Sequence, residues 1–236
     1  MRRTSPLAVL VLVFSSPPLD AGISVAAVTT TRQMDEGFEQ LYAHGDEALD
    51  YLVLMADELG IDAGRIGTFG SSQGAGIAMW LGFRGQDSIG FNSDRSGRIR
   101  AVGNMVGQTT FDMLLWKEWI PGFTDAEIAR LGAIFQVTDL LNNRPALLRV
   151  SNNLAAMANL STDDPPLWMF YGMAPEAPLP TDVSQQFGWQ IHHVNFGVRL
   201  QELADDIRVE SYLNYPGRRS MYPSVASFLI AKLSVN

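Results

Sequence analysis

The sequence predicts an α/β protein, a mostly parallel doubly wound sheet with helices on both faces, and three observations carry that prediction. Short apolar runs alternate with stretches of helical periodicity along most of the chain, which is how strands joined through crossover helices read. One of those runs ends in a glycine-flanked serine turn that opens directly onto a helix of small residues, within residues 65–83. The chain has 236 residues, of which 47% are hydrophobic and 18% charged, enough apolar surface for one substantial core and unlike a disordered chain.

The elements follow in order. Residues 7–14 (Leu-Ala-Val-Leu-Val-Leu-Val-Phe) follow Met1-Arg2-Arg3. They read either as the apolar region of a signal peptide or as a buried parallel strand closed by Ser15-Ser16-Pro17-Pro18. The strand is preferred here, and with it a cytoplasmic over a secreted protein. The run is too short to span a bilayer. Residues 23–28 predict a second buried strand. Residues 46–59 predict a helix, with Leu49, Leu52, Val53, Ala56 and Leu59 on one face, Asp46 as N-cap, His44 just ahead of it and Gly60 as the stop. Residues 66–69 form the next strand, and a polar loop covers 86–96. Strand 99–106 precedes a mostly helical region, 111–162, in which Thr124-Asp125-Ala126-Glu127 reads as a capping box. Asp163-Asp164-Pro165-Pro166 breaks the chain before strand 167–171. A proline-rich loop with Pro175, Pro178 and Pro180 leads to a helix over 195–207, a strand over 209–213 and a closing helix over 222–233.

Gly70-Ser71-Ser72-Gln73-Gly74 matches the G-x-S-x-G pattern of a nucleophile elbow. The spacing has a steric origin. A serine at the tip of a strand-to-helix turn sits in strained backbone geometry, and Cβ atoms two residues away on either side would collide. The helix that follows aims its first N–H groups at the serine, where they stabilise developing negative charge.

Other chemistries find little support. A formal net charge of −8 argues against nucleic acid, whose phosphates need a concentrated basic surface. No cysteine is present, which excludes a thiolate nucleophile and thiolate metal sites. No His/Asp/Glu spacing predicts a metal site, and no cofactor motif follows a strand. The aromatic and methionine residues Phe111, Trp116, Trp119, Phe135, Met157 and Trp168 read as core in preference to an acyl pocket.

These residues resemble the α/β-hydrolase fold, and within it the carboxylesterase/lipase-like group. The resemblance rests on the elbow with its feeding segment 59–66, on residues 19–28, and on 163–172, and extends over most of 7–233. It implies Ser72 as nucleophile, the Gln73 backbone N–H as one oxyanion donor, and an acid a few residues beyond Gly172, which selects Glu176, with Asp112 and Asp182 as lesser candidates. The sequence departs from the family in three places. The histidine belongs after the last strand, yet residues 215–221 (Tyr-Pro-Gly-Arg-Arg-Ser-Met) hold none, and arginine is no base near neutrality. A His-Gly-Gly-rich oxyanion loop is replaced by residues 14–18, leaving Ser15 as the second donor. The chain also begins at what looks like the family's third strand.

The three histidines are His44, His192 and His193. Of the adjacent pair at most one faces the site; His193 is taken as a relocated base, oriented by Glu176 or Asp182, against the alternative that the pair only packs the loop and caps the following helix. The expectation is a single α/β-hydrolase-like domain over 1–236, with 111–162 a helical cap insertion. It would hydrolyse a small-molecule carboxylic ester through a Ser72 acyl-enzyme, without cofactor or metal. The alternative is a catalytically impaired hydrolase-fold protein that binds a ligand or partner.

Overall fold

Side-chain alternation along the strands builds the molecule. The computed structural model describes residues 17–30, 37–84, 98–132, 139 and 142–234. Within them, β1 (Ile66–Ser71), β2 (Ile99–Met105), β3 (Leu167–Phe170) and β4 (Ser211–Asn214) form an open, all-parallel sheet in the order β1-β2-β3-β4. Odd and even positions point to opposite faces of a strand, and here both faces are covered. Val102, Leu167, Met169 and Leu213 enter the larger core, while Ala101, Trp168, Phe170 and Tyr212 enter a smaller one. Near-continuous apolar runs are the sequence signature of such doubly covered strands.

The helices are α1 (Pro17–Asp20), α2 (Phe38–Leu54), α3 (Ala56–Leu59), α4 (Gln73–Phe83), α5 (Met113–Trp119), α6 (Asp125–Gly132), α7 (Arg144–Ser151), α8 (Ala156–Asn159), α9 (Val183–Ile191), α10 (Asn195–Ile207) and α11 (Val225–Leu233). Leu41, Tyr42, Ile77, Met79, Phe196 and Leu200 bring α2, α4 and α10 into the larger core, and Phe228, Leu229 and Leu233 place α11 on the other face. Glycines let α2 and α4 approach closely: a Cβ on Gly76 would lie 2.4 Å from the Tyr42 hydroxyl. Thr124 caps α6 as its sequence predicts, its backbone N–H donating to Glu127 at 2.9 Å. Among the described residues no helix is long and apolar enough to cross a membrane.

Four expectations need correction. Residues 23–28 form no strand. Hydrogen bonds from the N–H groups of Gly22 and Ile23 to Leu19 and Pro18 close a turn after α1, and Ile23 packs against the Phe228 core instead of pairing with β1; an apolar run does not specify its strand partner. The helix read as 46–59 starts at Phe38 and is interrupted at Met55. Asp46 is therefore no cap but a buried mid-helix carboxylate, 3.5 Å from the Arg84 guanidinium, and His44 lies on the helix rather than before it. The last helix starts at Val225, where Ser224 and Ser227 form a capping box. Finally, α9 falls in a stretch read as loop. The readings of residues 7–14, Ser15, 86–96 and Phe135 lie outside the described residues.

Candidate active site

The site grows from the carboxyl end of β1. Ser72 follows the strand directly and precedes α4, with φ 52° and ψ −118°, a combination outside the regions open to residues with a Cβ. Its backbone N–H donates to Met105 O at 2.8 Å, and its carbonyl accepts from Ala75 and Gly76 at 3.0 and 3.3 Å. The turn is tight enough that a Cβ on Gly70 would lie 2.0 Å from Gly74 O. Glycine at 70 is thus required by contact between the strand's end and the helix's first turn.

Ser72 Oγ lies 2.8 Å from His192 Nε2. This contact spans 120 residues of sequence, and it involves His192, not His193. Burial holds the His192 pKa below the ordinary imidazole range, opposed by a hydrogen bond with the Gly188 backbone that raises it. In the tautomer whose other ring nitrogen carries the proton, Nε2 can accept the serine proton. His192 also terminates α9, where the negative end of the helix favours imidazolium once it forms.

His193 goes elsewhere. Its ring is fully buried, edge-on to Trp189 with centroids 4.5 Å apart, and its Nδ1 accepts the Asn195 backbone N–H at 3.2 Å. Burial lowers its pKa to about 4. The structure therefore places His193 in the loop-packing and helix-entry position and leaves it without a bond to Ser72.

None of the three candidate acids is bonded to His192. Glu176 is exposed and makes no hydrogen bond or ion pair among the described residues. Asp182 caps α9, accepting from Ser184 N at 2.9 Å and Gln185 Nε2 at 3.2 Å. Asp112 is buried and engaged by the Arg144 guanidinium. Among the described residues no carboxylate is hydrogen-bonded to the His192 ring, where the resemblance implies one.

Gln73 is the first residue of α4, so its backbone N–H has no intrahelical acceptor and faces outward from the helix end. It lies next to Ser72 and can meet an oxyanion there. The segment 215–221 closes on itself: Tyr215 and Arg218 pair across a turn, Ser220 is fixed to Asn214, and Arg218 and Arg219 are exposed.

The element that sequence reasoning missed, α9, is the one that delivers His192. Its start was readable. Asp182-Val183-Ser184-Gln185 carries an N-cap aspartate and a glutamine three residues later, with Val183, Phe187 and Ile191 at helical spacing.

No protein-family model and no curated protein sequence matches this chain. Solved structures do. A bifunctional GH43-CE from Bacteroides eggerthii superposes with a TM-score of 0.65 at 18% identity over 92% of this chain and 30% of that one. A truncated form of a carbohydrate esterase from gut microbiota gives 0.58 at 16% identity, covering 84% of this chain and 67% of that one. An acetyl ester-xyloside bifunctional hydrolase from Caldicellulosiruptor lactoaceticus gives 0.52 at 16% identity, over 84% and 62%. With the parallel sheet and its covering helices, these likenesses decide the architecture. The chain has the α/β-hydrolase fold. Two of these three α/β-hydrolase-fold neighbours are longer than this chain by a third or more, so it spans only part of their length.

Proposed function

We propose that the chain is a serine carboxylic-ester hydrolase acting on small-molecule esters, with Ser72 as nucleophile and His192 as its base. The observation that carries this reading is the 2.8 Å approach of His192 Nε2 to Ser72 Oγ, within the range a general base needs. His192 Nε2 takes the Ser72 hydroxyl proton as Oγ bonds to the ester carbonyl carbon. The resulting oxyanion is met by the Gln73 backbone N–H. Collapse breaks the bond to the alcohol oxygen, which leaves with the proton from His192. Water, deprotonated by His192, then attacks the acyl-enzyme and releases the acid, restoring Ser72. The lowered His192 pKa keeps the ring neutral and able to accept a proton near pH 7. Among the described residues no carboxylate is hydrogen-bonded to the ring to steady the imidazolium, so in this reading Ser72 and His192 act as a dyad. Helices over 111–162 are its cap in this reading. The esterase names among the neighbours in fold support the reaction class by analogy only, and they make acylated sugars the first esters to try.

A binding protein derived from a hydrolase is the second reading, favoured by one observation: Glu176 stands exposed and is not hydrogen-bonded to His192. Labelling with a fluorophosphonate, together with hydrolysis of p-nitrophenyl acetate, separates the two. Wild type labels and hydrolyses, Ser72→Ala does neither, and His192→Ala loses about 10²- to 10⁴-fold, while His193→Gln keeps most of the rate. Labelling of His192→Ala at the wild-type rate overturns the assignment of the base. Absence of labelling in folded wild type establishes the binder.

A further inference from the structure

The segment joining β2 to α5 grips both partners of the Ser72–His192 pair. Met105 O accepts the Ser72 backbone N–H at 2.8 Å. Three residues later, the Gln108 side-chain amide donates from Nε2 to Ile191 O, the carbonyl of the peptide unit that leads into His192. Thr109 Oγ1 donates to Phe196 O at 2.9 Å, on the other side of the histidines. Resting on the reading of Ser72 and His192 given above, we infer that Gln108 is a positioning residue that sets the reach of His192 to Ser72.

The clamp itself is rigid. Val106 has φ 49°, a conformation that a β-branched residue keeps only where its surroundings enforce it. Those surroundings are on either side. The Gly107 N–H donates to Asn104 Oδ1 at 2.8 Å, the Tyr171 hydroxyl donates to Gly107 O at 2.6 Å, and Asn104 Nδ2 donates to the Tyr171 oxygen at 3.2 Å. Asn104 and Tyr171 are fully buried. A Cβ on Gly107 would lie 2.6 Å from Ala75 Cβ, so the segment is pressed against the elbow helix. Gln108 therefore projects from a fixed point referenced to Ser72.

What it holds is a loose end. The Ile191 carbonyl belongs to the last turn of α9, whose carbonyls lack intrahelical donors. A peptide unit is planar, so fixing the Ile191 oxygen also fixes the nitrogen of His192 and restricts where its side chain departs. Among the described residues no carboxylate is hydrogen-bonded to the ring to correct a displacement. In such a site a misplacement of an ångström is costly.

The test uses Gln108→Met, which keeps length but removes the donor, and Gln108→Asn, which keeps the amide but falls short. Gln108 is half-buried, so neither substitution opens the core. We expect fluorophosphonate labelling to slow by about tenfold or more, with KM for p-nitrophenyl acetate within about twofold of wild type. In the His192→Ala background, Gln108→Met should slow the residual labelling no further, whereas a general structural effect would persist there. Imidazole ¹H–¹⁵N spectra give a readout independent of activity, and three histidines keep them simple. In both variants the His192 ring signals should move as its contact with Ser72 loosens, while those of His44 and His193 stay put. Unchanged His192 signals in both variants overturn the inference, as does slower labelling without a His192 change, or a His192 change without slower labelling in an active protein. Should wild type itself fail to label, the hydrolase reading falls, and the spectra alone decide the role of Gln108.

Discussion

Replacing Ser72 by glycine should leave this protein more stable than replacing it by alanine, although at most positions the order is the opposite. Ser72 holds φ 52° and ψ −118°, and a residue with a Cβ kept in such a sparsely populated region costs about 1–3 kcal/mol. Glycine adopts it freely, but lowers stability by about 0.5–1 kcal/mol through the entropy of the unfolded chain. Ser72→Ala provides the reference, because it loses the same hydroxyl contact with His192 while retaining the Cβ. The difference between the two variants isolates the backbone term, and centres near 1 kcal/mol in favour of glycine. For a chain of 236 residues that corresponds to a Tm about 2–4 °C higher. Thermal and urea unfolding followed by circular dichroism at matched concentration provide the assay, with fluorophosphonate labelling as a check that both variants are inert. A glycine variant melting at or below the alanine variant refutes the claim that the elbow stores strain.

Two further outcomes follow from the same geometry. His193 is fully buried with its pKa lowered to about 4, so between the ordinary imidazole value near 6.5 and that value the unfolded chain binds a proton that the folded one does not; stability is complete above about pH 6.5 and falls as pH drops through 4, by about 3 kcal/mol in all. Burial raises the Asp164 carboxyl to about 6, which adds a slope of opposite sign over part of this range, so the test is a difference: urea midpoints measured from pH 7.5 to 4 should fall more steeply with acid in wild type than in His193→Gln, and an equal pH dependence in both refutes the assignment. Gly70→Ala places a Cβ 2.0 Å from Gly74 O, a backbone clash that no rotamer relieves, and should cost more than about 3 kcal/mol; a variant with the wild-type midpoint and labelling rate contradicts the elbow geometry.

Much of the fold was legible because its signals are local. The steric demand on Gly70 is written in five consecutive residues, and the strand over 99–106 and the helix over 195–207 appear within a residue of where periodicity puts them. Other signals were present but overshadowed. The N-cap at Asp182 lies just after a run of prolines that drew the whole stretch into a loop. At 46–59 Leu49 and Ala56 are buried as read but Leu59 is exposed, and helix α2 begins eight residues earlier because its N-terminal turns pack Leu41 and Tyr42 into the core. Nothing local to residues 38–45 announces that contact.

The amino-acid order alone shows a serine set at a strand's end, and no histidine within residues 215–221, where the resemblance would put one. Choosing between His192 and His193 was beyond it. Neighbouring side chains leave the backbone in different directions, and which direction meets Ser72 depends on where α9 stops, where α10 starts and what pins the carbonyl between Ile191 and His192. Those are contacts between segments more than eighty residues apart, made only when the sheet has assembled beneath them.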